Sequence, residues 1–241
     1  MKLQACTLTG VDEWTDFERM GRLSQRYPFV EWGVLYSPGR QGQENRYPVM
    51  SGPRWAHLRA SRRCRLALHV CGVGVSEVIG ASPYWLETWL SGIGRVQLNL
   101  RGDRFAAADV VAAVRKLRAA DPARRVIVQL NSVNRELCEE LNGVTGLEML
   151  WDGSGGRGVL AKSWAQWGDP AHASVSQSPW GYAGGLGPKN LSEELPKIIK
   201  AAGGRPFWID MEQNLRNEED CFDLARAEAV LDQVYEITAA A

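Results

Sequence analysis

Short apolar runs alternate with amphipathic stretches from one end of the chain to the other. Residues 3–8 read as a first strand. Asp12 is placed to cap a helix running to about Arg26, in which Trp14, Phe17, Met20 and Leu23 recur at spacings of three. Further strands are expected at 29–36, 66–70, 95–100, 125–130, 147–151, 180–183 and 207–210. Helical stretches fall at 55–62, 84–90, 106–119, 135–141, 192–202 and 219–235, with residues 218–220 placed to cap the last. A helical stretch follows every strand but the sixth, where the pattern at 160–167 is poorly defined, and eight such units in one series predict an α/β fold: a single (β/α)8 TIM barrel. The rival is a doubly wound open sheet; the strand count and even spacing favour the barrel. No linker or low-complexity segment divides the chain, so one domain over residues 1–241 is expected, a length such barrels often have.

Composition narrows the function classes. Lys and Arg number 28 and Asp and Glu 28, so formal net charge is zero. With 45% hydrophobic residues and balanced charge, the composition argues against a disordered chain and against a nucleic-acid binder working by bulk charge. No run approaches the roughly 20 apolar residues that span a bilayer, and the N-terminus has no signal-peptide apolar region. The five cysteines are scattered, with no CxxC pair, which argues against a disulfide framework or a zinc site and for a reducing, cytoplasmic compartment. No metal-ligand spacing is visible; neither a metal nor another cofactor is expected. The expected partner is a small molecule, with no nucleic acid and no membrane, and the chain itself either a monomer or a homodimer.

Active sites of such barrels lie at the C-terminal ends of the strands. That rule selects Cys6, Tyr36 to Arg40, His69 to Cys71, Asn99 to Arg101, Gln129 to Asn131, Asp152, Gly184 and Gly185, and Asp210 to Glu212. For Cys71 and Gln129 a barrel-filling role is the simpler reading. His69 suits a polarising or a structural role equally, and His57 and His172 read as surface residues. Two glycine-rich loops follow strands six and seven: Asp152-Gly153-Ser154-Gly155-Gly156-Arg157-Gly158 and Ala183-Gly184-Gly185-Leu186-Gly187-Pro188-Lys189-Asn190. Glycine before a helix start can form an anion nest, and the second loop lies at the usual phosphate corner.

Taken together, these residues resemble phosphoribosylanthranilate isomerase, a barrel of tryptophan biosynthesis. In that family a Lys-x-Cys-Gly motif ends the first strand, matched here to Cys6. Gly33-Val34-Leu35-Tyr36-Ser37-Pro38-Gly39-Arg40 is similar to its second strand and Ser-Pro-x-Arg loop, and Val96-Gln97-Leu98-Asn99 to its Val-Gln-Leu-His. Asp152 with Gly155, Gly156, Gly158 and Trp164 is similar to its sixth-strand motif, and residues 183–190 to Ala-Gly-Gly-Leu-x-Pro-x-Asn. The resemblance implies an Amadori rearrangement of a phosphorylated aminoaldose, N-(5-phosphoribosyl)anthranilate. Cys6 would be the general base, Asp152 the general acid, and Arg40 the partner of the substrate carboxylate. Gly155, Gly156, Gly184, Gly185 and Asp210 would complete the binding site. The chain departs from the pattern at Thr7, at Asn99 and in strand eight. There Asp-x-Ser-Ser-Gly-Val-Glu is replaced by Asp210-Met211-Glu212-Gln213-Asn214-Leu215-Arg216. A relative acting on a different or less phosphate-dependent sugar, or a non-catalytic ligand-binding barrel, are the alternatives.

Overall fold

In the computed structural model, which describes residues 2–81, 90–100, 105–155, 157–167 and 179–239, eight parallel strands close into a barrel in the order β1 to β8. The strands are β1 (Leu3–Thr9), β2 (Val30–Tyr36), β3 (Leu66–Val70), β4 (Ile93–Leu98), β5 (Arg125–Leu130), β6 (Leu147–Asp152), β7 (Trp180–Ala183) and β8 (Phe207–Met211). Around them lie helices α1 (Phe17–Arg26), α2 (Pro53–Ser61), α3 (Val73–Gly80), α4 (Ala107–Ala120), α5 (Arg135–Glu140), α6 (Leu191–Ala201) and α7 (Leu224–Ala239). The barrel, not the open sheet, is what the chain forms, because β8 pairs with β1 as well as with β7.

Side chains of successive strand residues point to opposite faces. The closed sheet therefore divides the apolar residues in two. Outside, Leu8, Val30, Trp32, Val34 and Leu68 join helix residues such as Met20, Val114 and Leu231 in the main core. Inside, a separate cluster joins Ala5, Ile127, Leu150, Ala183 and Trp208. The lower interior also holds charge: Arg95 bridges Glu31 and Glu148 at 3.0 Å each, and its guanidinium lies 4.2 Å over the Trp208 ring. Thr7 donates to Glu31 at 3.0 Å.

Three local expectations are corrected. Helix α1 begins at Phe17 and is capped by Asp16, which accepts from the N–H groups of Glu18 and Arg19. Asp12 is buried and accepts instead from Arg216, Thr15 and the N–H of Phe222. The last helix starts at Leu224, with Asp223 accepting from Ala225 and Arg226 N–H. Asp220 pairs with Arg46 and Arg216 rather than capping that helix. Helix α3 at Val73–Gly80 was not read from the sequence; the stretch expected at 84–90 falls almost wholly outside the described residues.

Candidate active site

The C-terminal ends of the strands surround a cavity of about 300 Å³. Its wall includes His69, Gln97, Asn99, Gln129, Asp152, Asp210 and Glu212, with Arg40, Arg46 and Arg157 at the rim. Cys71 and Gln129, read from the sequence as barrel filling, are both part of this wall.

Two carboxylates from neighbouring parts of the barrel converge here. Asp152 ends β6 and is buried; its Oδ1 accepts from Ser154 N–H at 2.9 Å and from Ser154 Oγ at 2.7 Å. A turn closed by Gly155 N–H on Asp152 O holds this arrangement, and Gly155 supplies the positive φ of 63°. Asp210, on β8, is buried and accepts from Thr9 Oγ1 at 2.8 Å. Burial pushes its carboxyl up to about 7, helped by the negative charges of Glu31 and Asp152; the Thr9 hydrogen bond and Arg95 pull the other way. The same hydroxyl lies 3.5 Å from His69 Nε2, and burial drives the imidazole down to about 4, so the ring is neutral at pH 7.

Thr9 turns into the barrel, against Asp210 and His69 beneath the mouth, with Gly33 facing it in the register. A Cβ on Gly33 would stand 2.3 Å from Thr9 Oγ1. Cys6 does not reach the mouth. It lies at the opposite phase of β1, fully buried in the outer core between sheet and helices, and burial raises its thiol far above the ordinary range. A thiol kept protonated and walled off from the cavity cannot serve as the base. The signal that sequence reading missed is Gly10. Thr7-Leu8-Thr9-Gly10 shares the glycine of the Lys-x-Cys-Gly frame, with threonine where its lysine and cysteine stand, and β1 extends to Thr9.

The other expected residues divide. Arg40 is at the rim, donating to the Tyr47 hydroxyl at 3.1 Å, with Glu44 3.6 Å away. Gly184 and Gly185 line the cavity, whereas Gly155 does not. Gly156, Arg101 and His172 lie outside the described residues. Trp164 is in the outer shell, donating to Glu194 and packing on Trp151 and Tyr182. Met211 is buried in the outer core. Glu212 lines the cavity and pairs with Arg46 at 3.2 Å, while Arg216 holds Asp12 and Asp220 instead. Among the described residues no group of three His, Cys, Asp or Glu could hold a metal ion, and no helix is long and apolar enough to cross a membrane.

The fold and this mouth can be set beside solved structures. TrpF from Jonesia denitrificans superposes with a TM-score of 0.62 at 16% identity, covering 98% of each chain. Phosphoribosylanthranilate isomerase from Thermus thermophilus gives 0.59 at 15%, covering 97% of this chain and 99% of that one. The chain shares their fold. So does 3-hexulose-6-phosphate synthase from Salmonella typhimurium, with a TM-score of 0.56 at 11% identity over 98% of this chain and 99% of that one. No protein-family model matches the chain, and no curated protein matches its sequence. At these identities the likeness is one of architecture, and the reaction has to be argued from the site.

Proposed function

We propose that the protein is an isomerase that carries out an Amadori-type aldose-to-ketose conversion, with Asp152 and Asp210 as its two proton-handling groups. The observation that carries this reading is the convergence of two buried carboxylates on one mouth that also offers the hydrogen-bonding side chains of Gln97, Asn99 and Gln129. The reaction needs two groups. Asp152, as acid, delivers a proton to the furanose ring oxygen; the bond from that oxygen to C1 breaks, and the ring opens to an iminium. Asp210, as base, takes the proton from C2, and the C–H electron pair becomes the C1–C2 double bond of an enaminol. A proton then adds at C1 while the C2 hydroxyl gives up its own to solvent, which makes the C2 carbonyl of the ketose. A base with a pKa near the working pH is well matched to this task. Gln97, Asn99 and Gln129 offer partners to sugar hydroxyls, and Arg40 would meet a carboxylate on the amine substituent.

Within this reading the tryptophan-pathway substrate itself and an unphosphorylated relative are distinct candidates. The crowded turn after β7 favours the relative. The test is conversion in deuterated water of two probes, N-(5-phosphoribosyl)anthranilate and N-ribosylanthranilate, followed by NMR. The ketose formed should carry one deuterium at C1. Asp152→Asn and Asp210→Asn should each lower turnover about 10²–10⁴-fold with the fold intact by circular dichroism. No conversion of either probe by the parent, or parental rates in both variants, would overturn the proposal.

A further inference from the structure

The geometry points to Asn214 as a specificity-determining residue that closes the corner between the β7 and β8 loops, so that the mouth accepts a sugar-type substrate ending in a hydroxyl and excludes one ending in a phosphate. The inference deepens the isomerase reading by naming the substrate class. Its test does not depend on turnover.

In barrels of this architecture the loops after the seventh and eighth strands, with a nearby helix start, commonly bind phosphate. Such a site needs N–H donors that converge on open space. Here the turn is drawn against its neighbours, and the N–H groups from Gly187 into the start of α6 are largely used. Asn214 Nδ2 donates to Gly185 O at 2.8 Å and to Leu186 O at 3.2 Å, so its carboxamide ties the turn to the β8 loop. The two loops are in contact: a Cβ on Gly187 would stand 2.4 Å from Asn214 Cβ. From the other side the chain after β6 presses on the same turn, since a Cβ on Gly185 would stand 2.3 Å from Leu160 N. The close approach that glycine permits at 185 and 187 is thus taken by the protein's own chain.

Polarity is also wrong for an anion. The turn offers Asn214 two carbonyl oxygens, and carbonyls repel phosphate. The Gly187 N–H is held by Asn190 Oδ1 at 3.0 Å. At the start of α6, the N–H groups of Asn190 and Leu191 are on Gly187 O, and those of Glu193 and Glu194 are on Asn190 O. The first turn of that helix carries two acidic residues, and the mouth's arginines are at its rim, where Arg46 is paired with Glu212. Lys189 does not offset this; it lines a separate outer depression with Arg226 and Asn214 rather than the mouth.

The test is an NMR titration of the amide signals of Gly185, Leu186 and Gly187 with inorganic phosphate, for the parent, Asn214→Gly and Asn214→Ala. The parent should show no saturating shifts at these residues. Removing the carboxamide frees the turn and the facing loop, so at least one variant should bind phosphate about tenfold or more tighter than the parent. Thermal melts establish that each variant is folded; having two variants guards against one that is not. Saturable binding of phosphate by the parent at these three amides would overturn the exclusion of phosphate. Folded variants that bind no tighter than the parent would overturn the role of Asn214. If the parent excludes phosphate but isomerises neither probe, the isomerase reading fails while the closed corner stands.

Discussion

Asp210 owes its chemistry to where it is kept. Its carboxyl is buried, held by Thr9 and raised to about 7. As the base it must be ionised, so kcat/KM should rise with pH through about 7, and Asp210→Asn should lose that limb along with the rate. The same shift has a consequence for stability. In the unfolded chain an aspartate titrates near ~3.9, so between about pH 4 and pH 7 the folded state holds a proton that the unfolded state has released. Stability from this site therefore falls as pH rises across that window and stays low above it. Asparagine still accepts the Thr9 hydrogen bond without ever being charged. Thermal melts of Asp210→Asn should show a gain over the parent at pH 8 that shrinks towards pH 4; an equal difference at both would mean that the carboxyl is not buried as described. Cys6 gives the opposite case. Cys6→Ser places a hydroxyl in an apolar core and should cost about 1–3 kcal/mol in urea unfolding, with kcat unchanged. A large loss of kcat in a folded Cys6→Ser would restore the thiol as base. The strand-end rule brought both residues into view, but it cannot tell them apart. Facing alternates along a strand, so choosing between Cys6 and Thr9 requires the register, and register is set by neighbours such as Gly33 that lie far away in sequence.

At the scale of elements, strands were legible because each is a short apolar run with its own breakers, and those at 66–70, 125–130 and 180–183 match the structure residue for residue. Helix starts were less so. Asp12 and Asp16 both precede an amphipathic stretch, and a local rule does not separate them; what separates them is Arg216, distant in the chain. Arg216 is almost wholly buried and reaches Gly10 O at 2.7 Å, Asp12 Oδ2 at 3.2 Å and Asp220 Oδ1 at 2.7 Å. It fastens the β1–α1 loop to the β8–α7 loop on the rim of the mouth. Arg46 extends the fastening to the β2–α2 loop through Asp220 and Glu212. Removing one partner of a buried pair leaves a charge without compensation, typically a loss of about 3–5 kcal/mol. Arg216→Met should therefore destabilise by that order. Asp12→Asn keeps one of the two acceptor oxygens and leaves Arg216 its bonds to Gly10 O and Asp220, so it should destabilise less. Equilibrium unfolding in urea gives both values, and a smaller effect for Arg216→Met than for Asp12→Asn would contradict this account.

For the molecule as a whole, the barrel is stacked by chemistry along its axis. Proton-handling and hydrogen-bonding groups sit at the top. Below them, Arg95 lies between Glu31 and Glu148 and over Trp208. This interior ion triad is where the charges of β2, β4 and β6 meet, so it ties together strands that are not neighbours in the sheet. It was not legible in the sequence, because Glu31, Arg95 and Glu148 each resemble an ordinary solvent-facing position at the start of a strand. Only closure of the sheet turns them towards one another. Burial already raises the Glu148 carboxyl, and Arg95 is the first of the charges that hold it down. In Arg95→Leu the two carboxylates would keep only the half-exposed Arg65 and Arg125, at 4.0 Å and 3.8 Å; the folded-state pKa of Glu148 would rise further, and stability would fall as pH climbs past the ordinary glutamate range near ~4.3. The expected loss is about 3–5 kcal/mol at pH 8, and it should shrink on acidification towards pH 5, as the carboxyls take up protons. Adding Glu31→Gln and Glu148→Gln to Arg95→Leu should recover part of the loss at pH 8 and leave it nearly independent of pH. Urea unfolding of parent, single and triple variants at the two pH values decides the matter. A loss in Arg95→Leu that does not change with pH would mean that packing on Trp208, rather than charge, is what Arg95 contributes to the barrel.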